Sequence, residues 1–248
     1  MEFDVESANL KQFFTKIVPE EFQLKITKDG MKVQQPSGDQ ATYTDGILLP
    51  NAFIKYPEVT EDTIVPIVSK EELLKYFGRF DGKIKLKFEE GCIKFISEKR
   101  TARMSIGHSD IIAQIERPAL SFEGSFKVNS KIFKEAIANS SLVGKEVYEM
   151  KVQDGAFSIK VSNQVNEIVE TEKVEYADNQ CSYAAGFNDV FSRVSGDVFI
   201  SLKTGTSEKG YPLLVSYKDK MQTIDYIVAP FNETTNKVPD KKEENQDA

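Results

Sequence analysis

The pattern F-x-V-x-S occurs twice in this chain, at Phe3, Val5 and Ser7 and again at Phe126, Val128 and Ser130, with a constant offset of 123 residues. An amphipathic segment follows each copy, carried by Leu10, Phe13, Phe14 and Ile17 in the first and by Phe133, Ala136 and Ile137 in the second. An Asp-Gly turn between two alternating apolar runs comes next, at Asp29-Gly30 and at Asp154-Gly155. Further on, residues 69–88 lie over residues 183–202, with Gly82 on Gly196, Ile84 on Val198 and Leu86 on Ile200. Self-similarity on this scale is the mark of a duplicated domain. Each half is then expected to supply two helices and several strands, with the halves related by a pseudo-rotation.

The expected limits are a first domain at 1–107, a connecting loop at 108–124, a second domain at 125–232 and a tail at 233–248. Each domain is long enough to bury its own core. The loop sequence, Gly107 to Gly124, breaks the periodicity with Gly and Pro118, yet it is apolar at Ile111, Ile112 and Ile115. Those side chains either pack on the body or form a docking surface. The tail is polar and mixed in charge, a composition that favours disorder.

Helices are read from i, i+3, i+4, i+7 apolar spacing at residues 7–18, 69–80, 130–140 and 186–196. Ser7 and Ser130 are the N-cap candidates for the first and third. Lys11 and Lys16 fall outside the first apolar arc, so both are expected to face away from the sheet. Strict alternation at Lys83–Phe88, Phe157–Val161 and Val198–Leu202 marks strands that bury one face. Helices on one face of largely antiparallel sheets make the fold class α+β.

The net charge is −7, from 32 basic and 39 acidic residues, which by itself argues against nucleic acid. Its distribution argues the other way. Over the four helical ranges, eight basic residues stand against four acidic ones, so the rest of the chain carries −11. Two apparent strand edges also differ in sign: Lys99 to Ser105 carries Arg100 and Arg103, and Asn166 to Glu172 carries Glu167 and Glu170. Unlike edges in different halves pair head to tail, giving a ring or a filament, although charge on an edge also serves to prevent pairing.

Catalytic chemistry has little to stand on. His108 is the single histidine, set in the connecting loop without a cluster of metal-ligand spacing, and no phosphate-binding glycine motif or nucleophile elbow is present. Gly205 and Gly210 belong to a turn. Glu89-Glu90 reads as a turn rather than an acid–base pair, because adjacent strand residues face opposite ways. No metal, cofactor or catalytic residue is assigned. The two cysteines, Cys92 and Cys181, lie in different halves and are expected to remain free thiols. No apolar run approaches the roughly 18 residues that span a bilayer, and the opening residues lack a secretory pattern. A soluble intracellular protein is expected.

The segment YPLLVSYKDKMQTIDYIVAPFNE, starting at Tyr211, resembles the C-terminal signature of PCNA-type DNA sliding clamps, in which a P-L-x-V-x-Y strand precedes a last strand ending in Ala-Pro and a short acidic tail. KVNSKIFKEAIANSSLVGKEVYEMKV, starting at Lys127, is similar to the opening of that family's second domain. The likeness extends over residues 1 to about 233. Gln35-Pro36-Ser37-Gly38-Asp39-Gln40 stands where the family usually carries a Met-Asp-x-x-His/Arg loop.

The resemblance implies duplicated clamp domains closed head to tail into a trimeric ring, with helices lining a hole. Lys11, Lys16, Lys75, Arg79, Lys131, Lys134 and Arg193 are then expected to face duplex DNA without reading its sequence. Tyr43, Ile111, Ile112, Pro212, Ala229, Pro230 and Phe231 are expected to form a groove for peptide motifs of polymerases, clamp loader, flap nucleases and ligases. Arg100, Arg103, Glu167 and Glu170 are expected at the subunit seam. The competing readings are a subunit of a heterotrimeric clamp and a monomeric or dimeric processivity factor that does not close into a ring.

Overall fold

A computed structural model describes residues 1–108, 112–113, 115–122, 124–144, 147–163, 167–202 and 211–231. Its first half runs β1 (Glu2–Glu6), α1 (Ser7–Lys16), β2 (Phe22–Thr27), β3 (Gly30–Pro36) and β4 (Thr42–Leu48), then a 3-10 turn at Pro50–Ala52. It continues with β5 (Phe53–Lys55), β6 (Thr63–Ile67), α2 (Lys70–Phe77), β7 (Lys83–Glu89), β8 (Cys92–Ile96) and β9 (Thr101–Ser105). The second half repeats the order as β10 (Phe126–Asn129), α3 (Lys131–Val143), β11 (Tyr148–Gln153), β12 (Ala156–Ser162), β13 (Glu167–Lys173) and β14 (Asn179–Tyr183). It closes with α4 (Ala185–Phe191), β15 (Asp197–Leu202), β16 (Leu213–Lys218) and β17 (Gln222–Val228). Only the short β5 lacks a counterpart among the described residues. The expected tail at 233–248, the turn holding Gly205 and Gly210, and Ile111 and Asn166 lie outside the described residues.

The duplication holds down to single hydrogen bonds. Phe3 and Val5 oppose Leu86 and Ile84 across β1 and β7, as Phe126 and Val128 oppose Ile200 and Val198 across β10 and β15. At the mouth of each pair the backbone N–H of Ser7 donates to the Gly82 carbonyl at 2.9 Å, and that of Ser130 to the Gly196 carbonyl at 2.8 Å. Gly82 and Gly196 take φ of 71° and 83°, in the left-handed region that a Cβ disfavours.

Helix termini correct several expectations. Ser7 does not cap α1: it is buried inside the helix, and its hydroxyl donates to the Phe77 carbonyl at 2.9 Å, tying α1 to the end of α2. Ser130 occupies the cap position of α3 but makes no side-chain cap bond; the Asn129 side chain instead accepts from the Lys131 N–H at 3.1 Å. Helix α3 extends past Ser140 to a left-handed Gly144, a common C-terminal stop. Helices α1, α2 and α4 end short of their expected ranges, which leaves Arg79 and Arg193 just beyond α2 and α4.

Three antiparallel sheets result, ordered β5-β1-β7-β8-β9, β10-β15-β16-β17-β4-β3-β2-β6 and β13-β12-β11-β14. The eight-stranded sheet joins the halves, because β17 pairs with β4 from Gln222↔Leu48 to Val228↔Thr42. The four helices form one continuous layer. Phe77 of α2 stacks on Phe14 of α1 at 5.6 Å between centroids, Arg193 after α4 donates to the Thr15 carbonyl of α1 at 3.5 Å, and Phe191 of α4 stacks on Phe133 of α3 at 3.7 Å. The buried apolar side chains of both halves accordingly form a single cluster rather than two separate cores.

Gly30 is where β3 passes closest to its neighbour. Its φ is 139°, and a Cβ there would lie 2.2 Å from the Leu48 carbonyl oxygen. Backbone cannot yield as a flexible side chain does. Gly30→Ala is therefore expected to destabilise the fold by about 2 to 3 kcal/mol, read as a lower urea midpoint at unchanged slope; an unchanged midpoint refutes the close packing of β3 on β4.

Candidate functional site

The helix layer carries the basic side chains, though not all of those expected. Lys11 and Lys134 are exposed and carry no ion pair among the described residues. Lys75 pairs with Glu71 at 2.6 Å and Lys131 with Glu135 at 3.6 Å, both on the exposed surface, where such pairs are weak. Arg79 is exposed, and Arg193 is half-buried over α1. Lys16 departs from expectation: it is only 4% exposed, its ammonium bonded to the Gln12 carbonyl at 3.2 Å and lying 4.9 Å from the Tyr217 ring centroid. The apolar arc of α1 leaves Lys16 outside, but β16 of the other half supplies the aromatic face that covers it. Burial lowers the Lys16 pKa, with Asp219 acting in the opposite direction.

The C-terminal end of α1 is enclosed by groups from both halves. Lys70 of α2 donates to the Ile17 and Val18 carbonyls at 2.8 and 2.9 Å, Tyr226 of β17 to the Lys16 carbonyl at 2.9 Å, and Arg193 to that of Thr15. Apart from that of Val18, which lies beyond the C-cap Ile17, these are the carbonyls a helix end leaves without intrahelical partners. Lys70 was not singled out as functional in the sequence; it is almost fully buried, with Glu20 3.9 Å away.

Both unlike edges are terminal strands. β9 ends its sheet with Arg103 exposed and Lys99 and Arg100 just before it, while β13 ends another with Glu167 and Val169 exposed. Glu170 accepts from Asn139 at 3.1 Å, and Glu167 pairs with Lys160 at 2.5 Å. Tyr76 donates to the Arg103 carbonyl at 2.7 Å, satisfying one group of the basic edge. An open cleft of about 480 Å³ lies beside β9, lined by Arg79, Lys83, Lys99 and Arg100 among others.

The connecting loop is laid over the eight-stranded sheet. Gln23 donates to the Ile112 carbonyl at 2.5 Å, Gln35 to that of Ala113 at 3.2 Å, and the Tyr43 hydroxyl to that of Ile115 at 3.0 Å. Arg117 bridges Asp45 at 2.8 Å and Asp225 at 3.2 Å. Ile112 is buried and Ile115 is 43% exposed, so the loop both packs and presents apolar surface. Tyr43 is 5% exposed and therefore supports the loop from beneath; burial and the nearby Asp45 push its hydroxyl up to about 12.

Of the other expected groove residues, the Ala229 N–H donates to the Ala41 carbonyl and the Phe231 N–H to that of Ser182, both at 2.8 Å. Pro230 lies between them and Pro212 precedes β16, whose Leu213 pairs with Val228; both prolines are half-buried. Residues 37–41 connect the two groups: Ser37, Gly38 and Gln40 share an open cleft of about 520 Å³ with Ile112 and Ile115, while Ala41 holds Ala229. Asp39 fixes that turn by accepting from the Ser37 hydroxyl at 2.5 Å and the Ala41 N–H at 3.1 Å. Gln35, Pro19 and Glu21 also line the cleft and were not expected there. The sequence signal for Gln35 is the departure of Gln35–Gln40 from the family loop; Pro19 and Glu21 had none.

His108 is exposed, and Cys92 and Cys181 are free and partly buried. No group of three or more His, Cys, Asp or Glu among the described residues could hold a metal ion. No helix among them is long and apolar enough to cross a membrane.

No protein-family model and no curated protein sequence matches the chain. Solved structures do. The proliferating cellular nuclear antigen of Entamoeba histolytica superposes with a TM-score of 0.79 at 17% identity, over 93% of this chain and 98% of that one. The PCNA of A. fulgidus, solved with the C-terminal region of FEN-1, gives 0.80 at 15% identity over 94% and 98%. The PCNA2–PCNA3 complex of Sulfolobus tokodaii gives 0.72 at 18% identity over 93% and 99%. The fold is that of the PCNA-type clamps, α+β with duplicated clamp domains.

Lys70 supplies a test of the helix junction. Burial, and then the positive charge of Arg193, lower its pKa from the ordinary 10.5 to about 8. From pH 8 to 10.5 the unfolded chain therefore binds more protons at this site, so the Lys70 contribution to stability rises with pH across that window and is flat below it. The stability difference between the native chain and Lys70→Met, from urea melts at successive pH values, is expected to grow above pH 8; a constant difference shows that Lys70 titrates normally.

Proposed function

We propose that the chain is a DNA sliding clamp, a non-catalytic ring subunit that encircles duplex DNA and tethers replication and repair enzymes to it. The observation carrying this reading is the pair of terminal strands, basic β9 in the first half and acidic β13 in the second, in a chain with the PCNA fold. Edges of opposite sign in different halves favour head-to-tail association, and we take closure after three subunits, a homotrimer, as the ring they form. Arg103 and Arg100 would then meet Glu170 and Glu167 of the next subunit.

Lys11, Lys75, Arg79, Lys131, Lys134 and Arg193 belong to the inner face of such a ring; buried Lys16 does not. Contacts of this kind go to phosphates and carry no sequence information, so the ring slides. The negative charge of the remaining surface repels DNA from other approaches. The cleft beneath the connecting loop receives short motifs of a polymerase, clamp loader, flap nuclease or ligase, a role supported by the FEN-1 segment bound to the A. fulgidus protein. Tethering raises the enzyme's effective concentration at its site of action and so confers processivity. A subunit of a mixed ring is the second reading, favoured by the likeness to the PCNA2–PCNA3 complex. An intracellular location follows from the DNA partner.

Light scattering of the purified chain is expected to give three times its 28.0 kDa mass, and Arg103→Glu to lower that mass. A stable monomer overturns the homotrimer and redirects the search to partner chains; a trimer unaffected by Arg103→Glu places the seam elsewhere. In a separate test, changing Lys11, Lys131 and Lys134 together to Ala is expected to weaken loading onto DNA several-fold without changing the oligomeric mass. Undiminished loading argues against helices facing the DNA.

A further inference from the structure

The cleft beneath the connecting loop contains an unused hydrogen-bond acceptor. Gln35 is 7% exposed and lines the cleft. Its amide nitrogen donates to the Ala113 carbonyl at 3.2 Å, but its Oε1 is buried and has no partner among the described residues. Thr44, directly opposite in the β3–β4 register, also keeps a buried hydroxyl without a partner, so the nearest donor in register leaves the oxygen unserved. A buried acceptor left unpaired is costly, and a donor that reaches it recovers that cost. Around it the cleft offers half-exposed Ile115 as an apolar contact and Glu21, exposed and without an ion pair among the described residues, as a negative rim.

We propose that Gln35 is a specificity-determining residue of this cleft, selecting short peptides that combine an apolar anchor, a hydrogen-bond donor side chain for Gln35 Oε1 and a basic residue for Glu21. The long Gln35–Ala113 bond is the element that gives way as the donor enters. The inference deepens the docking role proposed above and rests on it.

The test pans randomised dodecapeptides on phage against the immobilised full chain, alongside Gln35→Lys and Gln35→Met. Gln35→Lys keeps a donor for the Ala113 carbonyl, removes the acceptor and adds a positive charge; Gln35→Met removes donor and acceptor without adding charge, so a loss shared by both variants reports the acceptor. The native chain is expected to enrich peptides with an Asn, Gln, Lys or Arg beside an apolar residue and a basic flank. Those peptides, resynthesised, should bind both Gln35→Lys and Gln35→Met about tenfold more weakly, and Gln35→Met should enrich apolar residues at the donor position. Equal affinity for all three proteins overturns the role of Gln35 and leaves the docking cleft standing. Failure of the native chain to enrich any peptide overturns both, whereas the oligomeric mass tests the ring independently.

Discussion

Asp45 of β4 and Asp225 of β17 face each other directly across the strand pair that joins the two halves. Like charges in that position oppose pairing, yet this is the seam on which the eight-stranded sheet depends. Arg117 resolves the conflict by binding one oxygen of each carboxylate, while Gln34 and Ser216 donate to the other two. The connecting loop is thereby fastened where the halves meet. A loop that fastens the seam also holds the cleft beside it in shape, so the proposed docking surface and the junction of the halves share one set of contacts.

The helix layer has a comparable anchor. The last carbonyls of α1 are satisfied by α2 of its own half and by Arg193 and Tyr226 of the other. A protein whose proposed work is to keep a curved surface at fixed distance from DNA needs its halves fixed in angle. Sheet pairing on one side and helix-end bonds on the other supply two separated points of attachment, which resist twisting better than either alone.

Much of this was legible in the sequence because duplication and alternation are properties of local spacing. Matching Gly82 to Gly196 located the actual turns, and the sign of the two edges was readable since both strands are terminal and solvated. Lys16 was misread because a helical wheel sees one helix, and the covering Tyr217 lies 201 residues away in the other half. Ser7 was misread because its hydroxyl found a carbonyl of α2 before its own helix terminus. Gln35 stood out only as the start of the Gln35–Gln40 segment that departs from the family loop; its burial comes from the path of the connecting loop above it. In each case the missing information was a contact between distant segments, which periodicity does not carry.

The repeated opening has a bearing on how the chain reaches this state. β1 and β10 offer the same apolar pair, Phe3 and Val5 or Phe126 and Val128, to strands with the same complementary face. During refolding from a fully unfolded chain, β1 can meet β15 and β10 can meet β7, trapping the halves in exchanged registers. During synthesis β1 and β7 are both made before β10 and β15, and domains generally fold N-terminal first. Vectorial synthesis thus separates two interchangeable partners in time, a distinction that their side chains alone do not make.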